Sequence, residues 1–141
     1  MFLNYDPKLV QVSFTGIPLL GYAPGTFVDV DRAEDAFKLV AGATGDVTRV
    51  RNRKINGSVT VTLLAESPTN DLLSAQAELD RLFGTGYGPL LVKNVNGTTI
   101  CMAEIAWIKK PAKVEYGDDA TNREWVFDCA ELLMEVGGAV L

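Results

Sequence analysis

Histidine is absent from this chain of 141 residues. Ser-His-Asp and Cys-His nucleophilic catalysis therefore lack their base, and the usual neutral-pH proton carrier is missing. Cysteine occurs only at Cys101 and Cys129. Two distant cysteines without histidine make no structural zinc site. Each lies in an alternating segment, where a reduced core thiol is expected. Long hydrophobic runs are also missing. No apolar stretch nears the ~18 residues that span a bilayer. The opening MFLNYDPKL meets an Asp before any apolar run, unlike a secretory leader. Neither membrane insertion nor export is expected. Positive charge is scarce: 13 Lys and Arg against 18 Asp and Glu leave a net charge of −5. A protein that coats a duplex would carry the opposite sign. One that lets DNA pass without holding it need not.

The composition that remains, 48% hydrophobic and 22% charged, is that of a globular protein. The length suits a single domain over residues 1–141. Short alternating segments dominate. In residues 8–14, Val10, Val12 and Phe14 share one face and Leu9, Gln11 and Ser13 the other. Residues 26–31, 36–41 and 48–57 read as further strands and their turns. The segment 58–65 alternates most regularly, with Val59, Val61 and Leu63 opposite Ser58, Thr60 and Thr62. Strands are expected at 90–95 and 98–107 around an Asn96-Gly97 hairpin turn, whose central residues favour positive φ. The segments 113–116 and 123–135 complete the set.

One helix is expected after Ser67 and Pro68, with Asp71 in its first turn and Gly84 at its end. Its apolar stripe, Leu72, Ala75, Leu79, Leu82 and Phe83, is expected to pack on the sheet. The expected fold class is therefore mainly β: a sandwich or barrel of about eight short strands with one packed α-helix.

Few residues invite a chemical reading. The glycines of GTGYGP (84–89) follow a helix and lead into a strand, the reverse of a dinucleotide-binding turn. The pairs Asp29–Asp31 and Asp118–Asp119 contain carboxylates, but the second sits in a turn that favours Asp and Asn for backbone reasons. The loop GIPLLGYAPG (16–25) is unusually apolar. Ile17, Leu19, Leu20 and Tyr22 either cap the chain's own core or meet a neighbouring chain. Arg49, Arg51, Arg53 and Lys54 crowd six positions. They read as an exposed strand face, a weak nucleic-acid grip without interleaved aromatics, or a dock for acidic groups of another copy.

Five segments, in order, resemble tail tube proteins of contractile-tailed bacteriophages. They are DAFKLVAGATGDVTRVRN (35–52), GSVTVTLLAESPTNDLLS (57–74), GYGPLLVKNVNGTTI (86–100), AEIAWIKKPAKVEYG (103–117) and TNREWVFDCAEL (121–132). The resemblance spans about residues 8–132, and no one motif is chemical. It implies a subunit without catalytic residues or cofactors, related in fold to type VI secretion inner tubes. Six copies would close a ring whose inward strands join a ring-wide β-barrel. Rings would stack into a tube carrying DNA, with sheath, baseplate and tail terminator proteins as partners. The protein would be made in the host cytoplasm and end in the virion.

On that reading Ser58, Thr60 and Thr62 face the lumen. The loop residues Ile17, Leu19, Leu20 and Tyr22 lie between subunits. So does the basic run, which would meet Glu115, Asp118 and Asp119 of an adjacent ring. Two rivals remain, a type VI-like tube subunit and a small-ligand carrier barrel with an apolar cavity.

Overall fold

The computed structural model describes residues 1–139. A short 3-10 turn at Pro7–Leu9 leads into β1 (Val10–Phe14). Thr15 and Gly16 both take positive φ, 50° and 81°, and turn the chain within two residues into β2 (Ile17–Pro18). Such a turn matches the twist of paired strands. Then come β3 (Val28–Arg32), β4 (Phe37–Ala41), β5 (Val47–Arg51) and β6 (Gly57–Leu64). The single helix, α1, spans Thr69–Phe83. After it follow β7 (Gly88–Asn94), β8 (Ile100–Ile108), β9 (Asn122–Cys129) and β10 (Leu133–Glu135).

The fold is mainly β, a sandwich with one helix, as the alternation implies. Eight strands form one sheet in the order β2-β1-β7-β8-β9-β6-β3, with β10 added on β8; β4 and β5 form a separate hairpin. Every pairing is antiparallel. The two layers meet at β8. Residues 100–103 pair with β7 and β10, while 106–108 pair with β9, Ala106 also opposing Gly88 of β7 across a register shift. Between them Glu104 and Ile105 are both exposed, so the inward phase moves by one residue. Such an irregularity lets one strand serve two sheets. The other side is closed by residues 17–23. Leu19 donates its N–H to Val12, Ala23 to Thr62, and Leu64 to Gly21. That segment bridges the edges of β1 and β6.

The core lies between the layers. Val12 and Phe14 of β1, Val59, Val61 and Leu63 of β6, and Trp125 and Phe127 of β9 are buried. The rings of Phe14 and Phe127 meet at 4.9 Å in a tilted contact. Both cysteines are free and buried.

Several elements differ from the sequence reading. Residues 113–116 form no strand, and 123–135 divides into two around a break at 130–132. The β7–β8 turn is longer than two residues, and neither Asn96 nor Gly97 has positive φ. Gly97 is needed for a different reason: a Cβ there would lie 2.7 Å from the Gly138 carbonyl.

The larger correction concerns α1. Its start is as expected, with the Ser67 hydroxyl accepting from the Thr69 N–H at 3.3 Å and donating to the Leu20 carbonyl at 2.6 Å. The stripe Leu72, Ala75, Leu79, Leu82 and Phe83 points outward, not onto the sheet. The packed face carries Thr69, Leu73, Gln76, Ala77 and Asp80. Three polar bonds select it. Asn70 accepts from the Trp125 indole at 2.9 Å and donates to the Leu64 carbonyl at 2.9 Å, while Gln76 donates to the Gly86 carbonyl at 3.1 Å. Rotating the apolar stripe inward would break all three.

Leu73 is fully buried and Leu79 is 39% exposed. Leu73→Ala is therefore expected to cost about 2–5 kcal/mol, and Leu79→Ala less than about 1 kcal/mol in the isolated chain. Urea melts of the two variants check the order.

Candidate assembly surfaces

The exposed face of the β3–β6–β9 layer follows from its register. Ser58 lies between Asp31 and Asp128, Thr60 between Asp29 and Val126, and Thr62 beside Glu124. Because side chains alternate across a strand, all of these point away from the core. Three half-exposed hydroxyls thus stand among four carboxylates. Among the described residues no Lys or Arg forms an ion pair with any of the four. The sequence reading named the hydroxyls and missed the acids around them. The signal was present in the alternating DVD and EWVFD segments, but only strand pairing shows that they share a face with β6.

Arg49 and Arg51 lie on the separate hairpin. Cross-strand pairs put Phe37 opposite Arg51 and Leu39 opposite Arg49 on one face. The Arg49 guanidinium stacks 3.7 Å above the Phe37 ring. All ten strand residues are exposed. Arg53 and Lys54 follow at the base, also exposed. There the Asn52 side chain donates to Glu34 at 2.7 Å and accepts from the Lys54 N–H at 3.0 Å. The hairpin leaves the sandwich at the Arg32–Gly57 end of the β3–β6 ladder.

Glu115, Asp118 and Asp119 lie at the opposite end. Their segment joins β8 to β9 and arrives beside the Leu64–Asn122 pair. Along β6 the two ends are about 23 Å apart, at the usual strand rise. Arg123 organises this turn from within. Though charged, it is buried, and it donates to the carbonyls of Glu115 (3.4 Å) and Asn122 (3.1 Å) and to the Thr121 hydroxyl (3.1 Å). Its guanidinium also lies 5.2 Å from the centre of the Tyr116 ring. The neighbouring Lys113 ammonium holds the Glu115 carboxyl below its ordinary range, first by hydrogen bonding and then by charge.

The apolar loop divides. Leu19 is 1% exposed and belongs to the chain's own core, so its expected place between subunits is corrected. Its N–H is tied to β1, which forces the side chain inward. Ile17 and Tyr22 are half-buried against the same core. The Tyr22 hydroxyl accepts from the Val12 N–H at 3.2 Å, and burial pushes its pKa up. Only Leu20, 59% exposed, offers most of its side chain to a neighbour.

No group of three or more His, Cys, Asp or Glu side chains converges among the described residues as a metal would require. Burial, then the charge of Asp128, pushes the Cys129 thiol up to about 11, and burial also raises Cys101. Both thiols are therefore poor nucleophiles at neutral pH. No described helix is long and apolar enough to cross a membrane. The geometry defines a structural sandwich with charged and apolar outer faces.

Comparison with known proteins agrees. Residues 20–137 match the family described as bacteriophage PhiTE tail tube protein, and the chain belongs to that family. It is 28% identical over 143 residues to structural protein ORF10 of Pseudomonas phage KPP10, covering 96% of this chain and 83% of that protein. The fold is similar to that of the anti-feeding prophage tube-terminating cap. That match has a TM-score of 0.64 at 7% identity and covers 96% of this chain and 94% of the other. It is also similar to a chain of the PVC extracellular contractile injection system sheath-tube complex, with a TM-score of 0.58 at 10% identity, covering 97% and 93%. The protein is thus a structural component of a phage tail, and so of the virion.

Leu19→Ser is expected to destabilise the chain by at least about 2 kcal/mol, because it removes buried apolar volume and inserts a hydroxyl. Leu20→Ser is expected to leave the melting curve within about 0.5 kcal/mol of the native one. A thermal melt of each separates core from surface within one loop.

Proposed function

We propose that copies of this chain close into rings, six to a ring as the resemblance implies, and that the rings stack head-to-tail into a tube through which DNA passes. The observation that carries the reading is the placement of the basic hairpin and the acidic turn at opposite ends of the β3–β6–β9 layer. In head-to-tail stacking, the hairpin end of one ring faces the acidic end of the next. Arg49, Arg51, Arg53 and Lys54 then approach Glu115, Asp118 and Asp119 of another copy. A heterologous contact of this kind propagates as a filament.

The β3–β6–β9 face suits a lumen wall. Its hydroxyls are wetted, and its carboxylates repel phosphate at separations up to about 8–10 Å in physiological salt. Strand β3 ends the sheet order and leaves an edge that lateral pairing in a ring would cover. Assembly in the host cytoplasm, inside a sheath and between a baseplate and a terminator, belongs to the same reading. A ligand carrier would need space between its sheets, whereas Phe14, Leu73, Trp125 and Phe127 fill this interior.

Exposed Arg–carboxylate pairs give only about 0–1 kcal/mol each, but several repeat around every ring. Purified native protein is expected to form tubes in negative stain, with raised salt shortening them. Arg51→Glu with Arg53→Glu is expected to leave a folded chain that no longer stacks. Normal tubes from the double variant would remove the basic run from the interface. A native chain that stays monomeric at every concentration would overturn the tube itself.

A further inference from the structure

Two apolar surfaces on this chain face solvent with no partner in their own molecule. One is the outward stripe of α1, where Leu72, Leu79, Leu82 and Phe83 are all exposed. The other is the hairpin face that carries Phe37 and Leu39 beside Arg49 and Arg51. A two-stranded hairpin on its own is marginally stable in water at best. A helix whose larger apolar stripe points outward gains nothing from that stripe until something covers it. Both therefore call for a partner.

They match in size and charge. From Leu72 to Phe83 the stripe runs about 16 Å at the helical rise. Each hairpin strand has five residues and spans about 13 Å at the strand rise, within a few ångströms of the stripe. At 100° per residue, Asp71 and Glu78 line one border of the stripe, level with Leu82. Glu78 already pairs with Arg81 on the same helix, so Asp71 is the carboxylate left to complement Arg49 or Arg51. Position agrees as well. Ser74, Ala77, Glu78 and Arg81 border a groove shared with the segment Ile108, Lys109, Lys110 and Pro111. That segment continues into the acidic turn. The acidic turn, a mixed-charge groove holding Glu78, Arg81, Lys109 and Lys110, and the apolar stripe therefore follow one another across one side of the molecule.

We propose that the Phe37–Leu39 face of the hairpin of one copy seats on the α1 stripe of a second copy. The hairpin arginines lie toward Asp71, and the basic base of the hairpin reaches the acidic turn. The proposal rests on the head-to-tail reading and adds the surface on which the hairpin lands. Every copy then carries one hairpin to give and one stripe to receive, and both unsupported elements become ordered by assembly.

Two single-cysteine variants test it, Leu39→Cys and Leu79→Cys, mixed and treated with a short bismaleimide. Both sites are exposed, so folding is not at risk. The native thiols are buried and held protonated, which keeps the background low. The mixture is expected to give a cross-linked dimer that neither variant gives alone. Val40→Cys, on the opposite hairpin face, is expected to give at least tenfold less with Leu79→Cys. Leu79→Asp is expected to abolish sedimenting polymer with an unchanged melting curve. Tubes of native form without the Leu39–Leu79 cross-link, or with equal cross-linking from Val40→Cys, would overturn the docking while leaving the tube reading intact. Leu79→Asp tubes that assemble normally but fail to bind a sheath would assign the stripe to the sheath and overturn it too. A native chain that never polymerises would overturn both readings together.

Discussion

Strand β6 has two faces with different work, and the rest of the molecule is arranged around that constraint. Val59, Val61 and Leu63 point inward and anchor the core. Ser58, Thr60 and Thr62 point outward between the carboxylates of β3 and β9. With a side-chain period of two, a one-residue slip of β6 against β9 would put hydroxyls in the core and valines on the acidic face. The eight-residue β6–β9 ladder prevents that slip. The bend of β8 into a second layer and the closure by residues 17–23 then seal the inward face. No local element could seal it alone.

The chain reads as a part of something larger because its unsatisfied surfaces are systematic. A monomer that functioned alone would turn Leu72, Leu79 and Leu82 inward and would not hold out a hairpin with ten exposed residues. Here the polar bonds of Asn70 and Gln76 fix the helix with its stripe outward. The ring of Phe37, itself exposed, is stacked under the guanidinium of Arg49. These features leave apolar area exposed on the chain. Membership in a phage tail tube family accounts for why such exposure persists.

Charge is arranged along the molecule as well as across it. A net charge of −5 says only that acids predominate. Strand pairing places four of them on one exposed face, and the chain path sets three more beside the Leu64 end, away from the basic hairpin. Arg123 shows how the last of these is achieved. One buried guanidinium bonded to two carbonyls and a hydroxyl shapes a turn that has no strand of its own. Buried cations of this kind act through geometry more than through net stabilisation.

Much of this was legible in the sequence. Alternation identified β1, β6, β7, β8 and β9, the signals at Ser67 and Gly84 bracketed α1, and both cysteines fell in the core. Those features are local, because residue type and spacing determine which side chains share a face. Which face is covered is not local. The helix stripe had the expected period and the opposite orientation, since the bond from Trp125, far away in sequence, and those to Leu64 and Gly86 on either side of the helix decided it. Leu19 and Leu20 are adjacent and chemically alike, and the bonds of residue 19 to β1 and of residue 20 to Ser67 and Thr69 made one core and the other surface. The acidic residues that surround Ser58, Thr60 and Thr62, and the placement of the basic hairpin and the acidic turn at opposite ends of β6, arise from pairing between distant segments. The sequence by itself determined the elements and the two faces of each. The tertiary structure alone decided which faces meet and which stay open, because that choice depends on non-local contacts that periodicity does not encode.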